Sequence, residues 1–276
     1  MNARWSALPL ALGIAALHAS PTDIAIVGAM KLADAPNYAW TATVTDDART
    51  YDIIGRTQKA GWSQVRMPLV NAVRRRLGRT TSEVEADYIF RGNTDCVIAT
   101  DRGWRRPDEV SESDLAPPAI GPTSHAPIFG GAPLGSRGRR GRGVRGGEGT
   151  PGAYSNIQLG LSLPHEELAV IVTNHVQLAA EGDTATGTLT DAGAQLLLVR
   201  DNQKALTPLK AAGTFKLWLQ NGAVLKYQVR LEGLLSVESG GFRREIVVHQ
   251  TTDVVIRGIG TTQVEVPDQA RLKLGG

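Results

Sequence analysis

The residue types able to do chemistry are few in this chain and stand apart from one another. The histidines are His18, His125, His165, His175 and His249. No two have metal-ligand spacing within a helix and no His-x-His occurs, so neither a metal set nor a Ser-His-Asp arrangement can be assembled from local sequence. Asp46-Asp47 could hold a cation or serve as acid and base, but a turn between two strands is the plainer explanation. Glu166-Glu167 follow Pro164 in the first turn of an expected helix, where carboxylates complement the helix dipole. The single cysteine, Cys96, can form no internal disulfide and cannot build a cysteine zinc site. Gly28 and Gly130-Gly131 belong to no G-x-G-x-x-G pattern, and there is no Walker sequence. Serine and cysteine nucleophile patterns are missing too. The expectation is a non-enzymatic protein with no catalytic residues, no metal site and no cofactor.

Two residue sets could instead hold a partner. Arg137, Arg139, Arg140, Arg142 and Arg145 crowd one Gly-rich run. Without interleaved aromatics such a run supplies backbone electrostatics and little base stacking. In an exported protein it would meet anionic lipid headgroups or acidic envelope polymers, and no nucleic-acid partner is expected. A solvated linker with no partner is the plainer reading. The second set is an apolar strand face near the C-terminus, described below.

The elements that would position these residues follow from pattern. The 276 residues are 42% hydrophobic and 21% charged with a formal net charge of +3; one or two domains with a sizeable core are possible. Residues 1–20 read as an export signal: Arg4, an apolar stretch from Trp5 to Leu17 broken by Pro9, then small residues, with cleavage near Ala19. The run falls short of the roughly 20 residues a spanning helix needs. No cysteine follows it, so a soluble periplasmic or extracellular protein without a lipid anchor is expected. A helix is expected from Pro21 to Leu32 and a strand over Tyr38–Val44 with Tyr38, Trp40, Ala42 and Val44 on one side. Strands should follow over 51–58, 62–67, 87–90 and 96–100, with a basic helix near 69–79. Residues 116–153 are rich in proline, glycine and arginine and read as a disordered insertion. A second helix opens at Pro164, capped by Ser162, with Leu168, Ile171, Val172 and His175 on one side. A strand over 184–189 and a helix starting at Thr190-Asp191 come next.

Phe215–Gln220 and Ala223–Leu231 form the clearest hairpin. A two-residue Asn221-Gly222 loop would mix the faces. A three-residue loop, Gln220-Asn221-Gly222, sorts them by setting Leu217 opposite Leu225 and Phe215 opposite Tyr227. One face then carries Phe215, Leu217, Leu219, Leu225, Tyr227, Val229 and Leu231. The other carries Lys216, Trp218, Lys226, Gln228 and Arg230. The apolar face is core if helices cover it fully and a ligand cavity if they leave a gap. A strand over 242–257, bent or broken at Thr251-Thr252, a last strand over 261–266 and a terminal helix or coil complete the chain. The fold class expected is α+β: a curved antiparallel sheet with helices on one face, in a single domain over 20–276.

Four segments carry a resemblance: Ala35-Pro-Asn-Tyr38-Ala-Trp40-Thr-Ala-Thr-Val44, Gly187-Thr-Leu-Thr190-Asp-Ala-Gly-Ala194, Trp218-Leu-Gln-Asn-Gly222 with Lys226-Tyr227, and Gly260-Thr-Thr-Gln-Val-Glu-Val-Pro267. Together they resemble exported bacterial proteins of unassigned function, similar in architecture to the periplasmic lipoprotein-carrier superfamily of the LolA/LolB and LppX/LprG kind. The resemblance implies a half-barrel closed by helices around an apolar cavity that holds lipid or lipoprotein acyl chains. Its lining would include the seven apolar hairpin residues named above. The alternative is an envelope interaction or sensor module with a closed core and no small-molecule ligand. The Arg/Gly/Pro insertion and the missing lipid-attachment cysteine depart from that pattern.

Overall fold

The computed structural model describes residues 21–47, 49–59, 61–68, 85–92, 95–110, 162–199, 206–239 and 242–275. The export signal, the basic helix over 69–79 and the insertion over 116–153, with its five arginines, lie outside the described residues.

Helix α1 spans Pro21–Asp34, and β1 (Asn37–Asp46), β2 (Thr50–Gln58), β3 (Trp62–Pro68), β4 (Glu85–Arg91), β5 (Asp95–Thr100) and β6 (Gly103–Arg105) follow. A 3-10 turn covers Pro107–Glu109. The second half holds α2 (Pro164–Thr173), β7 (His175–Glu181), β8 (Thr184–Leu189), α3 (Asp191–Leu198), β9 (Leu206–Gln220), β10 (Ala223–Ser239), β11 (Phe242–Arg257) and α4 (Asp268–Lys273). The strands form one antiparallel sheet in the order β6-β5-β4-β3-β2-β1-β11-β10-β9-β8-β7. Each half is therefore a meander of sequential neighbours, and the halves are joined where β1 pairs with β11. The sheet does not close on itself. It is a curved half-barrel with helices across its concave face, the α+β class that patterning predicts.

Period-two alternation sets the concave face. On β1, Tyr38, Trp40, Ala42 and Val44 are buried while Thr41 and Thr43 face water. One continuous core runs from Tyr38, Trp40 and Ala42 through Val65, Tyr88 and Ile98 in the first meander to Phe215, Leu217, Tyr227 and Val229 in the second. Burying each such side chain stabilises by about 1.5–3 kcal/mol. Gly55 makes one tight contact possible: directly opposite Trp40 in the sheet, it leaves space that the indole fills, and a Cβ there would collide with the ring. The indole Nε1 donates to Thr57 Oγ1 at 3.1 Å, so the buried nitrogen is satisfied.

A second, smaller cluster lies on the opposite side of the first meander. Ile89 on β4 and Val97 on β5 pack with Ala270 and Leu274 of the C-terminal segment, flanked by Trp62, Trp104 and Val266. Arg91 donates through Nη1 to the carbonyls of Leu274 (2.8 Å) and Gly275 (2.7 Å). Those carbonyls lie at the C-terminal end of α4, where unpaired acceptors need such a donor.

Several boundaries differ from the expectations. Leu163, not Ser162, is the N-cap of α2; its N–H is received by the Glu166 carboxylate at 3.0 Å, which does the work of a capping side chain. His175 is not on the helix. Asn174 ends α2 by donating from Nδ2 to Val170 O at 3.0 Å, and His175 opens β7. Strand β11 runs unbroken through Thr251-Thr252. Residues 261–266 form no strand: after Gly258 and Gly260, both with positive φ, the chain turns, and Thr262 N–H donates to Asn37 Oδ1 at 2.9 Å. Strand β6 was hidden by its length of three residues.

Candidate functional site

The β9–β10 hairpin forms the centre of the concave face of the second meander. Its turn corrects the expected register. Gln220 pairs with Ala223 across a two-residue Asn221-Gly222 loop, and both loop residues are left-handed (φ 52° and 68°). That is the geometry Asn-Gly favours. The faces are not mixed, because a β-bulge follows at once: Leu219 opposes Val224, and Trp218 then opposes Lys226. Leu225 is the extra residue. Leu217 consequently faces Tyr227, and Phe215 faces Val229. Phe215, Leu217, Leu219, Tyr227, Val229 and Leu231 share the buried face, as expected, whereas Leu225 is half-buried in the bulge and fully buried Val224 takes its place.

Helix α2 packs against both α1 and α3, while α1 lies on β7, β9 and β10 and α3 on β8, β9 and β10. Helix α1 presents Ala25, Ala29 and Leu32 to the core. Gly28 brings it close to the hairpin: a Cβ there would stand 2.9 Å from Leu219 Cδ2. Lys31 Nζ donates to Asn221 O at 3.2 Å, fastening the helix end to the turn. The other side of α1 is apolar as well, with Ile24, Val27 and Met30 41%, 48% and 57% exposed.

Helix α2 touches both meanders through tyrosine hydroxyls. Tyr38 on β1 and His165 Nδ1 lie 2.7 Å apart, with the rings edge to face. Tyr227 on β10 donates to Glu167 Oε2 at 2.7 Å. Burial raises the Tyr38 hydroxyl pKa and lowers that of His165. A neutral His165 accepting at Nδ1 from Tyr38 fits both directions. Thus the first turn of α2, read from sequence as a dipole match, is the polar contact between helix and sheet. The spacing of two tyrosines on strands far apart in sequence held no signal for this.

The first meander adds an unsatisfied group. Val65, Tyr88, Ile98 and Arg105 lie in one cross-strand row on the concave face. Tyr88 is 0% exposed, yet among the described residues its hydroxyl has no hydrogen-bond partner, and neither does Arg105 Nε. Burial raises the Tyr88 pKa, so the hydroxyl stays protonated and is a donor. Cys96, in the neighbouring row, is buried and its thiol is pushed up to about 12, chiefly by desolvation; it is not a nucleophile at neutral pH.

The remaining sequence candidates are local. Asp46 Oδ1 receives Arg49 N–H at 2.9 Å in the β1–β2 turn. Asp47 receives the backbone N–H of His249 at 2.9 Å and contacts its Nδ1 at 2.8 Å, which holds its carboxyl below the usual range. Among the described residues no group of three His, Cys, Asp or Glu could hold a metal ion. No helix among them is long and apolar enough to cross a membrane.

Comparison with known proteins gives structural likeness only. No family model matches the sequence, and no curated protein matches it. Among solved structures, the chain is similar to LprF from Mycobacterium bovis, with 11% identity and a TM-score of 0.45, covering 91% of this chain and 97% of that one. It is less similar to the Pseudomonas aeruginosa MucA/MucB complex, with 10% identity, a TM-score of 0.24, and coverage of 93% of this chain and 97% of that one.

Proposed function

We propose that residues 20–276 are the mature part of an exported, non-enzymatic protein that binds an acyl-bearing ligand on the concave face of its half-barrel. The observation that carries this reading is the Tyr88 hydroxyl, a buried donor with no partner among the described residues, set in a core lined mainly by apolar side chains. Leaving such a group unpaired costs about 1–3 kcal/mol, and an ester or carboxyl oxygen of a ligand would relieve it. The chain of that ligand would lie along the apolar rows, among Phe215, Leu217, Leu219, Tyr227, Val229 and Leu231, with α1 and α2 displaced to admit it. Two features suit that displacement. Helix α1 is apolar on both sides, and α2 reaches the tyrosines of the sheet from its first turn, through His165 and Glu167. Approach to an anionic membrane through Arg137, Arg139, Arg140, Arg142 and Arg145 belongs to the same proposal.

The test is native mass spectrometry of the protein purified from an envelope fraction, followed by organic extraction. Adducts of acyl-chain mass are the expected result. Tyr88→Phe should leave the unliganded protein at least as stable and should reduce the adduct. A second reading, a closed core that serves a protein partner, is favoured by the near-complete burial of Leu217 and Tyr227, both 0% exposed. It predicts a clean apo mass that incubation with lipid does not change.

A further inference from the structure

The convex side of the second meander carries a groove of about 560 Å³ whose lining includes Gln177 from β7, Thr186 and Thr188 from β8, Lys216 from β9, and Gln228 and Arg230 from β10. Register places these side chains opposite the core. Thr186, Lys216 and Gln228 form one cross-strand row, and Thr188, Thr214 and Arg230 form the next. Their sequence neighbours Ala185, Leu217, Tyr227 and Val229 are the buried residues of the other face. We infer that this groove binds a strand of acidic polysaccharide.

Charge comes first. The lining holds two cations, Lys216 and Arg230, and no carboxylate. Neither forms an ion pair among the described residues. Lys226 adds a third positive charge beside them. The nearest acid on the adjoining strand, Asp253, already receives Gln228 Nε2 at 2.9 Å. Hydrogen-bonding capacity comes second. Three threonine hydroxyls and two glutamine amides can donate and accept, which matches a ligand bearing many hydroxyls as well as anionic groups. Shape separates the occupants. A groove across four strands accepts a polymer strand, while a flat bilayer would touch only its rims. A single-stranded nucleic acid would need open aromatic faces for its bases. Phe215 is in the lining but is only 4% exposed, and the Trp218 ring beside the groove is covered by Lys216 Nζ at 4.9 Å and Lys226 Nζ at 4.7 Å from its centroid.

The experiment is calorimetric titration of the full chain with a polygalacturonate oligosaccharide, alongside a neutral dextran oligomer of equal length. The acidic oligomer should bind and the dextran should not. The double variant Lys216→Glu/Arg230→Glu should weaken binding at least tenfold with an unchanged far-UV spectrum. Arg56→Glu/Arg102→Glu, with the same change in net charge away from the groove, should not. Equal loss in both variants, no loss in the groove variant, or equal binding of dextran would overturn the assignment. So would tighter binding of anionic vesicles or single-stranded DNA with the same dependence on Lys216 and Arg230.

Discussion

On the convex side of β4 and β5, Ile89 and Val97 are fully buried beneath α4; on the convex side of β9 and β10, Lys216, Gln228 and Arg230 stand at the rim of an open groove. The two meanders use the same strand geometry, share one core and differ in what covers their outer face. The first is sandwiched along β3–β6. The second is one-sided. A sheet covered on both faces needs apolar runs, while a sheet with one wet face needs alternation. Tyr88-Ile89-Phe90 and Cys96-Val97-Ile98 are such runs. Phe215-Lys216-Leu217-Trp218-Leu219 alternates. Stability is therefore concentrated differently in the two halves, and the open face is free to carry charge.

The largest effect should come from charging the covered face. Val97→Asp places an unpaired carboxylate beneath α4 and should cost more than about 4 kcal/mol, enough to abolish a cooperative urea transition. Lys216→Asp, at a matching strand position in the other meander, should change stability by less than about 0.5 kcal/mol. Similar losses for both would erase the distinction between the halves.

A smaller contrast tests the concave face. Gly55→Ala drives a methyl into the rigid Trp40 indole and should destabilise by about 1–3 kcal/mol in urea denaturation. Gly213→Ala in the second meander approaches the Arg230 carbonyl oxygen at 3.2 Å and meets, more closely, two leucine tips, Leu189 Cδ1 at 2.8 Å and Leu231 Cδ2 at 2.9 Å. These can rotate away, and the alanine loses less backbone entropy on folding, so its cost should stay below about 1 kcal/mol.

The smallest effect concerns α2, which joins the two meanders through His165 and Glu167. Burial holds the His165 pKa below its ordinary value, so the unfolded chain takes up the proton first as pH falls. The associated stability is complete above about pH 6.5 and is lost as pH drops through the lower, folded value. The melting temperature should thus fall between pH 7 and pH 5, and His165→Gln should flatten that part of the profile. The Asp47 carboxyl, held low by His249, acts in a separate and more acidic window. An unchanged slope in His165→Gln would mean that the α2 contact is not the titrating link.

Much of the architecture was readable in the residues. Alternation in Tyr38–Val44 and Phe215–Leu231 marks strands with one buried face, and Thr190 announces α3, where its hydroxyl receives Gly193 N–H at 3.0 Å. The paired apolar runs at 88–90 and 96–98 signal a second covered face, a feature that spacing alone would have allowed one to find. Strand β7 was not legible, because Gln177–Glu181 consists of good helix formers without a period-two alternation, and its pairing with β8 decides its conformation. The buried face of the hairpin followed from alternation, apart from the exchange of Leu225 for Val224; Tyr88 and the α2 tethers did not, since they depend on which strands become neighbours.

The hairpin turn shows where the division falls. Local sequence determined that Asn221-Gly222 reverses the chain and that one face of each strand is apolar. Alternation favours a three-residue loop, because an unbulged two-residue loop would mix the faces; the two-residue loop actually formed sorts them through the bulge at Leu225. Tertiary packing decided between the two loops: α1 crosses the turn with Gly28 against Leu219 and Val224, and Lys31 reaches the Asn221 carbonyl. That close approach favours Val224 rather than Leu225 on the buried side. Contacts between residues nearly two hundred positions apart are set by the assembled sheet, whereas alternation and turn propensity act within a few residues and so can be read directly.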